Sequence, residues 1–405
     1  MSSRLPLVAA VVAGLTGAVA APAGAQTADE RPSLLSRMSF GVEAAANLAP
    51  ADPDAFFNYT DYERDALRIA RVRLLAQWRA RRNLSFVTEV RTENATDLRP
   101  AAYYVRWTPV DRHDLTIQAG RIPPVVGAFP RRAYGRDNLV VGAPLAFQYL
   151  ISLRPDALPA SVDDLLRMRG RGWQPSYPIG AATLAPGVPL VSASRWDPGV
   201  EAHWRRGRVD VAGAVTLGSA AVPLVRDTNR GRQYSMRAGV AIPSGPALGV
   251  SASQGDWVES GVLAALPAGT DRANGQRVLA VDAEYGRGAW LIRAESVRAR
   301  FEVPVAGALV GARVSAWASF GEARYRFHPR WQTAIRVEHM DFSRLVRPSD
   351  GASVRWEAPV RRVEAILAFR ASRTVGVRAG WQHNWRDGGR VSRRGVPMLS
   401  VLWWY

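Results

Sequence analysis

From residue 38 to the C-terminus, apolar and polar side chains alternate in one short run after another. Ala70, Val72, Leu74, Ala76, Trp78 and Ala80 are interleaved with Arg71, Arg73, Gln77 and Arg79. Trp290, Ile292 and Ala294 alternate with Arg293 and Glu295, and Trp331, Thr333, Ile335 and Val337 with Arg336 and Glu338. Val375, Val377, Ala379 and Trp381 alternate with Arg378 and Gln382. A period of two places alternate residues on opposite faces of a strand. No sustained 3.6-residue pattern competes with it. The chain is therefore all-β, and each strand has one apolar face and one face that carries cations.

The runs number sixteen, from 38–48 and 65–80 at one end to 375–385 and 395–405 at the other. Their connections alternate in length. Arg81-Arg82, Arg206-Gly207, Gly286 to Gly288 and His328 to Arg330 are short, and the intervening connections are long. Trp78, Trp107, Trp204, Tyr285, Trp290, Tyr325, Phe327, Trp331 and Phe369 all lie beside short turns. Short turns at one end, long loops at the other and an aromatic girdle fit a transmembrane antiparallel up-and-down β-barrel. Beyond the N-terminus no apolar run reaches the roughly 20 residues of a membrane helix.

The N-terminus reads as an export signal. Arg4 precedes an apolar stretch from Leu5 to Ala21, and Ala23-Gly24-Ala25 before Gln26 is a cleavage pattern. Residues 1–25 are assigned to a signal peptide, 26–37 to a short periplasmic segment and 38–405 to a single barrel. Removing residues 1–25 takes away one arginine and no acid, which lowers the charge from +18 to +17. All 53 cations are arginine, and there is no cysteine. Disulfides, thiolate metal sites and cysteine nucleophiles are excluded. Five histidines without a metal-ligand spacing leave no metal or cofactor to expect. Export argues against nucleic acid as the partner of the basic surface.

The last residues carry a further signal. Leu399, Val401, Trp403 and Tyr405 share one face of a terminal strand that ends in an aromatic residue. This resembles the C-terminal motif of outer-membrane proteins that the barrel-assembly machinery reads. With the alternation and loop pattern, the whole chain from residue 26 resembles a Gram-negative sixteen-stranded porin. One segment, Ala119-Gly120-Arg121-Ile122-Pro123-Pro124-Val125-Val126-Gly127-Ala128-Phe129, resembles the Gly- and Pro-rich stretch of the phosphate-selective (O/P-type) porins. The resemblance implies that the long third outer loop, 123–197, folds into the barrel as a constriction. It also implies acids facing bases across the bore, and a homotrimer. The loop is expected to contain a short helix over 160–169, with Asp163-Asp164 early and Arg167 and Arg169 late.

A sixteen-stranded barrel is wide enough for an aqueous channel. Fixed arginines would favour small anions. The candidates on the polar face are Arg71, Arg73, Arg237, Arg293, Arg336, Arg362 and Arg378, with Glu338 among the counter-charges. Those in the loop are Arg131, Arg132 and Arg136, with Asp137 beside them. Outer-membrane lipid and lipopolysaccharide phosphates are expected around the barrel. Three alternatives stand beside an anion-preferring porin. A sugar-type porin would use Tyr103, Tyr104, Phe147, Tyr149, Trp173 and Tyr177 as an aromatic track. A barrel enzyme such as a lipid hydrolase would need a nucleophile and base that no motif supplies. A barrel plugged by its long loop would conduct little.

Overall fold

The computed structural model describes residues 35–51, 57–109, 114–388 and 394–405. The signal peptide and most of the 26–37 segment lie outside the described residues. The first half of the wall comprises β1 (Met38–Leu48), β2 (Ala70–Arg81), β3 (Leu84–Glu93), β4 (Arg99–Trp107) and β5 (Leu115–Ile122). After a two-residue ribbon of β6 (Ala157–Leu158) and β7 (Ile179–Gly180), the wall resumes with β8 (Asp197–Arg206), β9 (Val209–Thr216) and β10 (Gln233–Ala241). It continues with β11 (Ala247–Asp256), β12 (Gly275–Arg287), β13 (Trp290–Val303), β14 (Ala312–His328) and β15 (Trp331–Phe342). A second ribbon, β16 (Arg344–Val346) and β17 (Ser353–Arg355), precedes β18 (Val360–Arg370), β19 (Val375–Arg386) and β20 (Gly395–Trp404).

Leaving out the two ribbons, sixteen strands form a closed barrel in which each pairs antiparallel with its neighbours in chain order. β20 closes on β1, with Ala44 opposite Trp403. The Tyr405 N–H donates to Val42 O at 2.9 Å and the Val42 N–H to Tyr405 O at 3.0 Å, so the terminal residue completes the seam. The segment before β2 forms a 3-10 turn, Ala66–Arg68, instead of the strand expected from residue 65. Asp65 stops the strand there by accepting from the Leu67 N–H at 2.9 Å.

Parity sorts the two faces as the alternation predicts. Trp290, Ile292, Val211, Val215, Val281, Leu367, Leu399 and Val401 are exposed on the outer face. So are Trp78, Trp107, Trp204, Phe327 and Trp331 of the aromatic group. Among the described residues no helix is long and apolar enough to cross a membrane. Strands do the crossing, because a closed sheet leaves no backbone group unpaired in lipid.

The inner face is less polar than the alternation implies. Val278, Ala280, Val297, Ala299, Phe301, Val314, Ala316, Ala318 and Met340 are inner residues of β12 to β15, and all are buried. They form one cluster with Phe129, Leu145, Phe147 and Tyr149 from the long loop. A segment of some 75 residues needs apolar surface to dock on, since its own side chains cannot bury themselves. Within it, α1 (Leu145–Gln148) and α2 (Val162–Arg167) are short helices. α2 lies inside the expected 160–169 window, and Ser161 caps it by accepting from the Asp164 N–H at 3.1 Å.

Candidate functional site

The charged groups of the inner face meet the loop segment 127–145 at four places. At the first, Glu295 of β13 accepts the Ala128 and Phe129 N–H groups at 3.0 and 3.1 Å. Ser251 of β11 accepts from the Gly127 N–H at 2.9 Å. Gly127 has φ +80°, and a Cβ there would lie 2.6 Å from the Glu295 carboxylate. Only glycine allows both the left-handed turn and this close approach. At the second, the Tyr134 hydroxyl donates to Glu89 of β3 at 2.6 Å. The Gly135 and Arg136 N–H groups donate to Glu43 of β1 at 3.0 and 3.2 Å. Burial, then the Glu89 carboxylate, pushes the Tyr134 phenol well above its ordinary pKa, so it stays a donor.

At the third place, Arg293 and Arg324 donate to Asp137 O at 3.1 and 2.9 Å, and Arg378 donates to Asn138 O at 3.0 Å. At the fourth, Glu338 accepts the Leu145 N–H at 2.6 Å and Arg336 donates to Gly142 O at 2.8 Å. Arg362 donates to Ala143 O. β3 and β13 stand eight places apart in the ring of sixteen, yet Ala128 and Tyr134 bond to one each.

Beneath the fourth place lies a closed ion array. Arg324 bonds Glu322 at 2.5 Å. Arg336 reaches Glu338 at 2.9 Å, Glu364 at 3.1 Å and Glu322 at 3.6 Å. Arg362 reaches Glu338 at 2.8 Å. The side chains of Arg336 and Arg362 are 0% exposed. Three cations face three anions, so the array adds no net charge to any path through the barrel. Arg378, also buried, bonds Ser400 at 2.8 Å. Arg336 and Glu338 therefore meet each other and loop backbone, and Arg378 meets loop backbone and Ser400, not open water.

The remaining candidates divide. Arg71 pairs with Glu93 at 2.5 Å. Arg73 is buried, with its guanidinium 4.9 Å from the Tyr134 ring centre. Arg237 is bidentate to Asp282 at 2.6 and 2.8 Å. Arg131 and Arg132 belong to a 3-10 turn, Phe129–Arg132, just after the Glu295 anchor. Their side chains are 33% and 30% exposed. Arg131 stands at the edge of ion-pair range of Glu201 and Asp210, at 3.8 and 4.0 Å, while Arg132 contacts Glu284 at 2.8 Å. Arg293 shares Glu284 at 2.6 Å. The side chains of Arg136 and Asp137 are exposed. Glu43, Glu201, Asp210, Glu284, Glu322 and Glu364 were not among the expected site residues, although inner-face parity on neighbouring strands marks each of them.

Arg121, in the Gly- and Pro-rich segment, is buried. It donates to Trp196 O at 2.7 Å and Pro100 O at 2.5 Å, following a backbone flip at Gly120 with φ +130°. The aromatic candidates do not form a track. Tyr103 is exposed on the outer wall, and Tyr104, Phe147, Tyr149 and Tyr177 are buried, three of them in the loop core. Trp173 borders a cleft with Tyr59, Arg64 and Leu184. Among the described residues there is no group of three side chains suited to a metal ion.

No protein-family model matches the chain, and no curated relative does. Its fold is matched by solved structures of very different sequence. An anion-selective porin from Comamonas acidovorans superposes with a TM-score of 0.56 at 9% identity, covering 91% of this chain and 100% of that one. A trimer form of OmpT, an outer membrane protein of Vibrio cholerae, gives 0.53 at 10% identity, covering 91% and 99%. The outer membrane channel DcaP of Acinetobacter baumannii gives 0.52 at 8% identity, covering 91% and 95%. What this chain shares with them is the architecture: a closed, antiparallel, sixteen-stranded outer-membrane-type barrel.

Proposed function

We propose that this protein is an outer-membrane channel through which small hydrophilic solutes diffuse, with a preference for anions. The observation that carries the reading is the placement of Arg131 and Arg132. They are part-exposed cations between Ala128 and Tyr134, which bond to β13 and β3, strands half a ring apart. On this reading residues 127–145 cross the bore and narrow it, and 123–197 is the constriction loop. Glu201, Asp210 and Glu284 face the two arginines, which gives a transverse field at the narrowing. The segment Ala119 to Phe129 makes inorganic phosphate the anion to try first. Residues 1–25 serve export, Leu399, Val401, Trp403 and Tyr405 serve assembly, and the barrel associates as a trimer. The enzyme alternative has less to stand on. His203 bonds Asp210 at 2.5 Å, but among the described residues no hydroxyl bonds His203. His383 stacks on Trp385 at 4.2 Å.

The test is purified protein in a planar bilayer under a salt gradient, with conductance and reversal potential read together. Stepwise conductance with an anion-side potential is expected. A cation-side potential would remove the anion preference and keep the channel. Folded barrels that give no steps would leave the plugged barrel in its place.

A further inference from the structure

One stretch of the outer face breaks the apolar rule. Along β13 the outward residues run Trp290, Ile292, Ala294, Ser296, Arg298, Arg300 and Glu302. Arg277 of β12 stands directly opposite Arg300, and Leu279 opposite Arg298. On the other side, β14 sets Trp317 opposite Arg298 and Ser315 opposite Arg300. Arg277, Arg298 and Arg300 are exposed. The nearby Arg313 lies 4.0 Å from Glu302. The other three make no ion pair or hydrogen bond within the described residues.

Facing like charges on adjacent strands repel. An arginine on the lipid side of a barrel is costly at the midplane and well tolerated at the interface. Height decides which applies. Arg298 and Arg300 lie eight and ten residues beyond Trp290 of the turn-side girdle. At about 3.3 Å per residue and a tilt of about 40°, that is roughly 20 and 25 Å along the membrane normal. An apolar band about 25 Å tall ends there. The three guanidinium groups sit at the outer headgroup level, with Trp317 beside them at the boundary where an indole is at home. Glu302 is engaged with Arg313, and an anion from outside the chain would offset the repulsion among the other three.

We propose that Arg277, Arg298 and Arg300 form a docking site for the phosphorylated headgroup of an outer-leaflet lipid. Guanidinium groups bind phosphate oxygens in bidentate fashion, and a headgroup with two phosphates satisfies all three arginines while its acyl chains lie along the apolar wall below. The site rests on the outer-membrane reading and is independent of what passes through the bore.

The test titrates the folded barrel in detergent with diphosphoryl lipid A and with the same lipid stripped of phosphate, read by native mass spectrometry. Wild type should bind the phosphorylated form at least about tenfold more tightly. The R277Q/R298Q/R300Q variant should lose that preference, keep heat-modifiable migration and keep wild-type conductance. R298Q alone serves if the triple variant does not fold, and a turn-side control, R287Q/R326Q/R330Q, should bind as wild type does. Equal binding of the dephosphorylated lipid would overturn the proposal, as would undiminished binding by the folded variants. Displacement of the lipid by millimolar inorganic phosphate would make this a free-anion site instead. A changed oligomeric state with unchanged lipid binding would make the patch a protein interface.

Discussion

Arg336 and Arg131 face the same interior and have opposite surroundings. Arg336 is sealed, bonded to Glu338, Glu364 and loop backbone, with Glu322 close by. Arg131 is one-third exposed and approaches its acids no closer than 3.8 Å. Water screens the second and is excluded from the first. A buried pair is costly to break because the surviving partner stays charged and unsolvated, whereas an exposed pair contributes about 0–1 kcal/mol. Identical side chains therefore do different work: Arg336 holds the loop to the wall, and Arg131 leaves its field to the solution.

The sharpest way to break this contrast is to remove the sealed cation. Arg336→Ala leaves Glu322, Glu338 and Glu364 facing only Arg324 and Arg362, and it also removes the shorter of two donors to Gly142 O, leaving Asn138 at 3.2 Å. We expect a loss of about 3–5 kcal/mol in urea unfolding of the detergent-folded barrel. Replacing Arg336 and Glu338 together with Met and Gln should cost less than Arg336→Ala, because the uncompensated charge is gone. An Arg336→Ala barrel as stable as wild type would show that the array is wet and the contrast false.

The open pair should give the reverse pattern. R131Q/R132Q should leave the unfolding midpoint within error of wild type and move the reversal potential toward the cation side, most strongly at low salt. The Glu284 carboxylate keeps Arg293 as a partner at 2.6 Å, so it is not abandoned when Arg132 is lost. A selectivity unchanged in R131Q/R132Q would move the selective point elsewhere in the barrel.

The strands were readable because lipid imposes its pattern one residue at a time. Most outward positions are apolar or aromatic, so alternation alone locates β1 at Met38–Leu48 and places Trp290, Ile292 and Ala294 of β13 on the outer face beside its short turn. The same parity already puts Arg298 and Arg300 on the lipid side. The docking of the loop was not readable. Ala128 meets Glu295 across 167 positions of sequence, and no periodicity links them. The apolar inner residues of β12 to β15 have the composition of ordinary strand residues, and only the loop core that covers them explains their burial. Gly127 was within sight, in a Gly- and Pro-rich segment, but its reason is a carboxylate brought in by tertiary structure.

The smallest expected effect concerns a third kind of charge, one that is sealed and has no cation partner among the described residues. Glu357, in the loop between β17 and β18, is fully buried. Its carboxylate accepts the Ser152 N–H at 2.9 Å, the Ala358 N–H at 2.8 Å and the Gly170 N–H. Burial outweighs these bonds and raises its pKa above the ordinary carboxylate range. A raised carboxyl pKa means that folding favours the protonated form. The stabilisation it brings is therefore complete below the free-chain pKa of about 4.3 and fades as pH rises through the buried value, by about 1.4 kcal/mol for each pH unit between the two. Glu357→Gln cannot ionise. Its stability relative to wild type should be higher at pH 8 than at pH 4.5, with Tm in detergent as the measure. A difference that does not change with pH would mean that water reaches Glu357, and it would place this carboxylate with the exposed charges near Arg131 rather than with the sealed array.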